Sequence, residues 1–259
     1  LNENDFMILA EECNRCGVGF MSTPFDMQSI DFLSSVNMDY WKIPSGEITN
    51  LPYLRKIASK GGRIILSTGM STIDEVKDAV TALSLGGVDK KDIYLLHCTT
   101  QYPTPHEAVN LRAMDSLKEL GCAGVGYSDH TKGILVPIAA VARGAEIIEK
   151  HFTLDHDMPG PDHKASLSTD ELKEMVSSIR EVEKILGSEI KEVTATEQPN
   201  ITVARKSIVA SRPIRKGESL TDHNITTKRP GSGISPMLWD SVIGSHAIRD
   251  FLTDEPIEI

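Results

Sequence analysis

Ala123-Gly124-Val125-Gly126-Tyr127-Ser128-Asp129-His130 is followed, one helix-length segment later, by Glu146-Ile147-Ile148-Glu149-Lys150-His151-Phe152. Each is a short apolar run that closes on a polar residue, a charged residue and a histidine. Side chains alternate between the two faces of a strand, and adjacent strands lie about 4.8 Å apart. If the two runs are neighbouring parallel strands, Ser128 and His130 share a face, Glu149 and His151 share another, and both imidazoles stand over one end of the sheet. Two imidazoles so placed can bind one divalent cation and leave its other positions to water and substrate, which suits Lewis-acid chemistry. A lone histidine at a strand end is more often structural. Two in register, each beside a carboxylate, point to an enzyme.

Outward from this pair, β-type runs recur at residues 19–23, 40–44, 63–68, 93–99, 123–128 and 146–152. Between and around them, residues 1–17, 26–37, 71–85, 108–120, 131–143 and 170–186 have helical character. Ser71-Thr72-Ile73-Asp74-Glu75 and Ser168-Thr169-Asp170-Glu171 read as capped helix starts. This alternation predicts βαβ units and a parallel sheet. Polar residues at the carboxyl ends of successive strands are the pattern of a (β/α)8 TIM barrel. No G-x-G-x-x-G follows any strand, which argues against an open dinucleotide-binding sheet. Six units are visible where a barrel has eight, so the expectation is a barrel lacking its first two βα units. After residue 187 the pattern changes. Residues 188–202 read as a polar linker and residues 203–259 as a small β-rich domain with runs at 207–210, 225–229, 242–248 and 255–259.

The bulk composition narrows the function class. Acidic residues outnumber basic ones 37 to 27, for a net charge of −10. A nucleic-acid partner is therefore not expected, because phosphate backbones need a basic surface. No run approaches the roughly 18 apolar residues of a membrane span. Cys13 and Cys16 form a lone C-x-x-C without the second pair that a structural zinc site needs. Free thiols in a reducing compartment, hence a cytoplasmic location, are the expectation.

Other strand ends carry polar groups. Lys42, Ser45 and Glu47 lie in Lys42-Ile43-Pro44-Ser45-Gly46-Glu47, and Ser67-Thr68-Gly69 repeats the hydroxylic ending. A lysine inside a barrel strand is costly unless it meets a ligand, and hydroxyls beside it make a cradle for phosphate or carboxylate. Thr23 precedes Pro24 in a similar setting. Cys98, Thr100 and Tyr102 share a face, whereas His97 points towards the outer helices and is not expected to be a ligand. Pro159-Gly160-Pro161-Asp162-His163-Lys164 reads as a shaped loop over the strand ends.

Taken together, the chain resembles the sialic acid synthase family (N-acetylneuraminate synthase and its bacterial nonulosonic acid relatives). The matching text includes Ser22-Thr23-Pro24-Phe25, Lys42 to Glu47, Ser67-Thr68-Gly69-Met70, His97-Cys98-Thr99, Tyr102-Pro103-Thr104-Pro105, Ser128-Asp129-His130-Thr131, Glu149-Lys150-His151-Phe152 and Gly160-Pro161-Asp162-His163. The tail looks like the family's antifreeze-like (SAF) domain through Ala204 to Ser207, Ile214 to Glu218 and Lys228 to Gly231. The resemblance implies condensation of phosphoenolpyruvate with an N-acylated hexosamine of the N-acetylmannosamine type. It implies Mn²⁺ or Mg²⁺ on His130 and His151, with Lys42, Ser45, Ser67 and Ser128 on phosphoenolpyruvate. Glu47, Tyr102 and Glu149 would contact the sugar, with Thr23 nearby. It further implies a homodimer that exchanges its SAF domains, Arg229 entering the partner's site. Thr100 departs from the asparagine that some members carry after His-Cys-Thr. Another phosphoenolpyruvate–aldose synthase, or a non-catalytic association protein, are the alternatives; the SAF-like tail argues against the first and the histidine pair against the second.

Overall fold

The computed structural model describes residues 1–259, which divide into two compact units, Leu1–Gly187 and Ser188–Ile259. In the first unit the elements are α1 (Glu3–Arg15), α2 (Met27–Leu33), β1 (Tyr40–Ile43), α3 (Leu51–Lys60), β2 (Arg63–Ser67), α4 (Ile73–Leu85), β3 (Ile93–Cys98), α5 (Ala113–Lys118), β4 (Gly124–Asp129), α6 (Leu135–Ala142), β5 (Ile148–Lys150) and α7 (Thr169–Leu186). The five strands form one parallel sheet in the order β1-β2-β3-β4-β5. A further rung continues it, since Phe152 bridges Leu167 in parallel.

Helix starts follow their side chains. Thr72 with Glu75 and Ser168 with Glu171 form capping boxes that open α4 and α7, each satisfying two otherwise orphaned backbone donors. Asp26 caps α2 by accepting from the Ser29 N–H. The core lies between sheet and helices: Ile43, Ile64, Leu66, Ile93, Leu95, Val125 and Tyr127 pack against Leu54, Ile57, Val76, Leu83, Met114 and Ala140. Strands covered on both faces read as continuous apolar runs, as Ile64-Ile65-Leu66 does.

The sheet is curled. In a flat sheet β1 and β5 would lie about 19 Å apart, four strand spacings. Lys42 Nζ on β1 nevertheless sits 3.3 Å from Glu149 Oε2 on β5. Curling brings the inward faces of the first and last strands onto one pocket at their carboxyl ends. Gly126 allows β4 to come close beside β5, because a Cβ there would meet the Ile147 carbonyl oxygen at 2.4 Å.

Several expectations need correction. Residues 19–23 are not a strand; β1 is the sheet edge and pairs only with β2. A β-type run becomes a strand only through a ladder, and this one has none. The helix expected at 108–120 shortens to α5, preceded by a single 3-10 turn at His106–Ala108. α3 was not among the expected helices.

The second unit contains α8 (Asn200–Ala204), the antiparallel pair β6 (Ser207–Ala210) and β7 (Ile225–Lys228), and α9 (Trp239–Val242). The expected run at 242–248 instead begins at the end of α9, and His246 makes only a single bridge, to Ser219. Ile208, Ile214, Leu220, Ile225, Val242, Phe251 and Ile257 form a separate small core. No helix is long and apolar enough to cross a membrane.

Candidate active site

The lysine side of the pocket comes from β1, β2 and the turns after them. Lys42 is only 6% exposed, and its ammonium donates to Ser67 Oγ at 2.9 Å while facing Glu149. Burial of an ammonium is costly without such partners. Pro44 ends β1, and the 3-10 turn Ser45–Glu47 follows. There Ser45 Oγ accepts from the Gly69 N–H at 2.9 Å and lies 3.2 Å from Cys98 Sγ. Gly69 is required by this crowding, because a Cβ would meet Ser45 Oγ at 2.8 Å, Thr100 Cγ2 at 2.9 Å and Cys98 Sγ at 3.0 Å. Thr100 therefore belongs to the same wall.

The imidazole side comes from β4 and β5. Ser128 Oγ donates to Glu149 Oε1 at 2.8 Å, so Glu149 joins the two sides, held by Lys42 through one oxygen and by Ser128 through the other. His130 and His151 follow one residue beyond the ends of their strands, with ring centroids 5.3 Å apart and planes at 80°. Tyr102 lies against both, 4.1 Å from His130 and 5.7 Å from His151. His130 Nδ1 is 2.8 Å from the Thr99 carbonyl oxygen and His151 Nδ1 is 3.7 Å from Asp162 Oδ2. With each Nδ1 facing an oxygen, the Nε2 atoms are left free, the arrangement of metal-ligating imidazoles. No group of three His, Cys, Asp or Glu side chains is gathered closely enough to enclose a cation. The pair thus offers two nitrogen donors and leaves the rest of a coordination sphere to water and bound molecules.

Burial depresses the His130 pKa, against the raising effect of the Thr99 carbonyl, which favours the neutral ring that a metal needs. Burial, reinforced by the neighbouring Asp162 and Glu149 carboxylates, raises the Tyr102 phenol and keeps its proton on.

The structure gathers Lys42, Ser45, Ser67, Thr100, Tyr102, Ser128, His130, Glu149 and His151 around this pocket. Glu47 is half-buried on the turn after β1, where its carboxylate accepts from Asn50 Nδ2 at 2.6 Å. Thr23 lines a different cavity of about 230 Å³, with Phe6, Ser22, Asp26 and Ser29. Arg229 is exposed in the second unit and donates through Nε to the Ala204 carbonyl at 2.8 Å. His97 Nε2 lies 2.8 Å from the Val109 carbonyl oxygen and its ring sits tilted against Tyr127, away from the pocket. Two pocket residues were not singled out from the sequence: Gly69, whose signal was its place after Ser67-Thr68, and Asp162, which lay inside the Pro/Gly loop.

The chain matches the NeuB family over residues 1–191 and the SAF domain over residues 205–258. It is 51% identical over 243 residues to the N,N'-diacetyllegionaminic acid synthase of Campylobacter jejuni, covering 94% of this chain and 73% of that one. It is 46% identical over 247 residues to the N,N'-diacetyllegionaminic acid synthase of Legionella pneumophila, covering 95% and 69%. Among solved structures, a putative spore coat polysaccharide biosynthesis protein E from Chromobacterium violaceum superposes with a TM-score of 0.82 at 27% identity, covering 99% of this chain and 77% of that chain.

Proposed function

The chain belongs to the NeuB family, and from that premise we propose that it condenses phosphoenolpyruvate with an N-acylated mannose-type sugar to give a nonulosonic acid and phosphate. The diacetylated sugar that leads to the legionaminic acid series is the favoured substrate, because the relatives at 51% and 46% identity carry that name. The observation that carries the reading is one pocket in which a buried lysine and a pair of imidazoles are joined through Glu149. The curled sheet is read as part of a (β/α)8 barrel, whose chemistry sits at the carboxyl ends of its strands.

Lys42, with the hydroxyls of Ser67, Ser45 and Ser128, binds the phosphate and carboxylate of phosphoenolpyruvate. A buried ammonium with hydroxyl neighbours suits a dianion that replaces Glu149 as its partner. Glu149, Tyr102 and Glu47 orient the sugar hydroxyls so that the aldehyde carbon lies against C3 of the enol. His130 and His151 would hold a divalent Mn²⁺ or Mg²⁺, which would supply Lewis-acid polarisation of the aldehyde. The C3–C1 bond forms as the aldehyde oxygen takes a proton. Water then adds at C2, and phosphate leaves with its bridging oxygen as the C2–O bond breaks. Tyr102, still protonated at neutral pH, holds a hydrogen bond to the developing oxygen. The homodimer with exchanged SAF domains, in which Arg229 reaches the partner's pocket, is supported by the family match of residues 205–258 and by the exposure of that side chain. A cytoplasmic location goes with the use of phosphoenolpyruvate.

The test is phosphate release from phosphoenolpyruvate with Mn²⁺ and a panel of mono- and diacetylated hexosamines, with the product weighed by mass spectrometry. Release that needs both a sugar and the metal is expected, fastest with the diacetylated sugar. Release without any sugar, or none with the whole panel, would overturn the reading.

A further inference from the structure

β4 and β5 meet in successive cross-strand pairs, and one of these is a charged pair with no part in the chemistry above. Ser128 stands opposite Glu149 and Asp129 opposite Lys150. His130 and His151 follow one residue later. Ser128, Glu149 and the imidazoles lie on the pocket face, so by alternation Asp129 and Lys150 project from the other. There they are sealed, with side chains 0% and 3% exposed. Lys150 Nζ donates to Asp129 Oδ2 at 2.6 Å and also to the Thr131 carbonyl oxygen. The same carboxylate accepts from the Thr131 N–H and from its hydroxyl, each at 3.0 Å.

Stability alone is a weak reason for such a pair, because desolvation largely cancels its attraction and apolar replacements are often as stable. Its position gives a better one. The β4–β5 ladder ends at Asp129 and Lys150, and beyond it the two backbones part. The His130 carbonyl accepts from the Thr104 N–H at 2.9 Å, whereas the His151 carbonyl accepts from the Leu167 N–H at 2.8 Å. The Asp129–Lys150 bridge is therefore the last direct tie between the strands before the imidazoles.

We propose that the clamp of Asp129, Lys150 and Thr131 fixes the separation of His130 and His151 and thereby sets the affinity of that pair for a divalent cation. The inference rests on the metal reading above. Asp129 and Lys150 are positioning residues and touch neither substrate nor metal.

The test is a Mn²⁺ titration of the full chain, followed by the electron paramagnetic resonance of free Mn²⁺, beside thermal unfolding without metal. The double variant Asp129→Asn/Lys150→Met removes both charges at nearly constant volume. Its melting temperature is expected to stay within about 4 °C of the parent. Its Mn²⁺ affinity is expected to fall about 10- to 100-fold, as for other outer-shell partners of metal ligands. Parent-like Mn²⁺ affinity in this variant would overturn the proposal. If the double variant does not fold, Asp129→Asn alone is read the same way: weakened binding supports the clamp, and parent-like affinity overturns it. A parent chain that does not bind Mn²⁺ overturns the metal reading and the clamp with it, whereas binding by the parent that is lost in His151→Ala upholds the metal reading on its own.

Discussion

The two walls of the pocket are built differently. On the β1–β2 wall the charged group is buried and already partnered: the Lys42 side chain is 7% exposed and bonded to Ser67. On the β4–β5 wall the imidazoles are short of partners: His130 is buried and the His151 side chain is 33% exposed, but both Nε2 atoms are free of hydrogen bonds to protein. A buried, hydrogen-bonded cation is set in advance for an anion of fixed shape. Imidazoles with unpartnered Nε2 atoms suit a ligand whose remaining positions exchange with water and substrate. Glu149 touches both walls, so the two are coupled through one carboxylate.

The largest expected effect comes from removing an imidazole from the β4–β5 wall. His151→Ala should lower turnover at least ~10³-fold, the scale of losing a Lewis acid worth several kcal/mol, and should abolish metal dependence. Residual activity that still responds to Mn²⁺ would break the comparison. Next is Lys42→Met, which removes the buried cation. A fall of about 30- to 100-fold in kcat/KM, carried mainly by KM for phosphoenolpyruvate, is expected from losing a charged hydrogen-bonding group. A change confined to kcat would move Lys42 from binding to chemistry.

Gly69→Ala sharpens the comparison without touching a charge. The new Cβ would press on Ser45 Oγ, Thr100 Cγ2 and Cys98 Sγ, all within 3.0 Å. KM for phosphoenolpyruvate should rise about tenfold, as for small displacements of positioning groups. Mn²⁺ affinity, which the proposal assigns to the other wall, should not move; equal damage to both would show that the walls are one rigid unit.

The smallest effects lie outside both walls. Burial holds the His97 pKa below the ordinary imidazole value, while the His163 carbonyl and the Glu171 carboxylate raise that of His156. Between the depressed His97 value and about 6.5, the unfolded chain binds a proton that the folded chain refuses, so stability falls as pH drops through that window. His156 acts in the opposite sense: its contribution is present below about 6.5 and is lost as pH rises through the raised value, and its exposure keeps it small. Ring-proton shifts in an NMR titration should place His97 below and His156 above 6.5, and the reverse order would refute both environments.

Much of this arrangement was legible in the sequence because strand alternation is strict. Strand alternation pairs Ser128 with His130 and Glu149 with His151, and the register Ser128 opposite Glu149 then puts all four on one face. The turn after Lys42-Ile43-Pro44 was similarly explicit in its Pro and Gly. What was not legible depends on contacts between distant segments. Residues 19–23 carry β-type residues but lack a ladder, and Thr23 consequently faces the cavity between α1 and α2. Sheet curl, which brings Lys42 to Glu149 across five strands, has no local signature. Asp162 was hidden because a loop's Pro and Gly announce a turn but not which side chain it aims at His151.

The central claim is that the two walls hold different ligands. Calorimetric titration of phosphoenolpyruvate and of Mn²⁺, separately, into the parent chain, Lys42→Met and His151→Ala tests it most directly. The account predicts a crossed pattern, in which Lys42→Met loses phosphoenolpyruvate but keeps Mn²⁺ and His151→Ala loses Mn²⁺ but keeps phosphoenolpyruvate. Loss of both ligands to the same extent in both variants would contradict it.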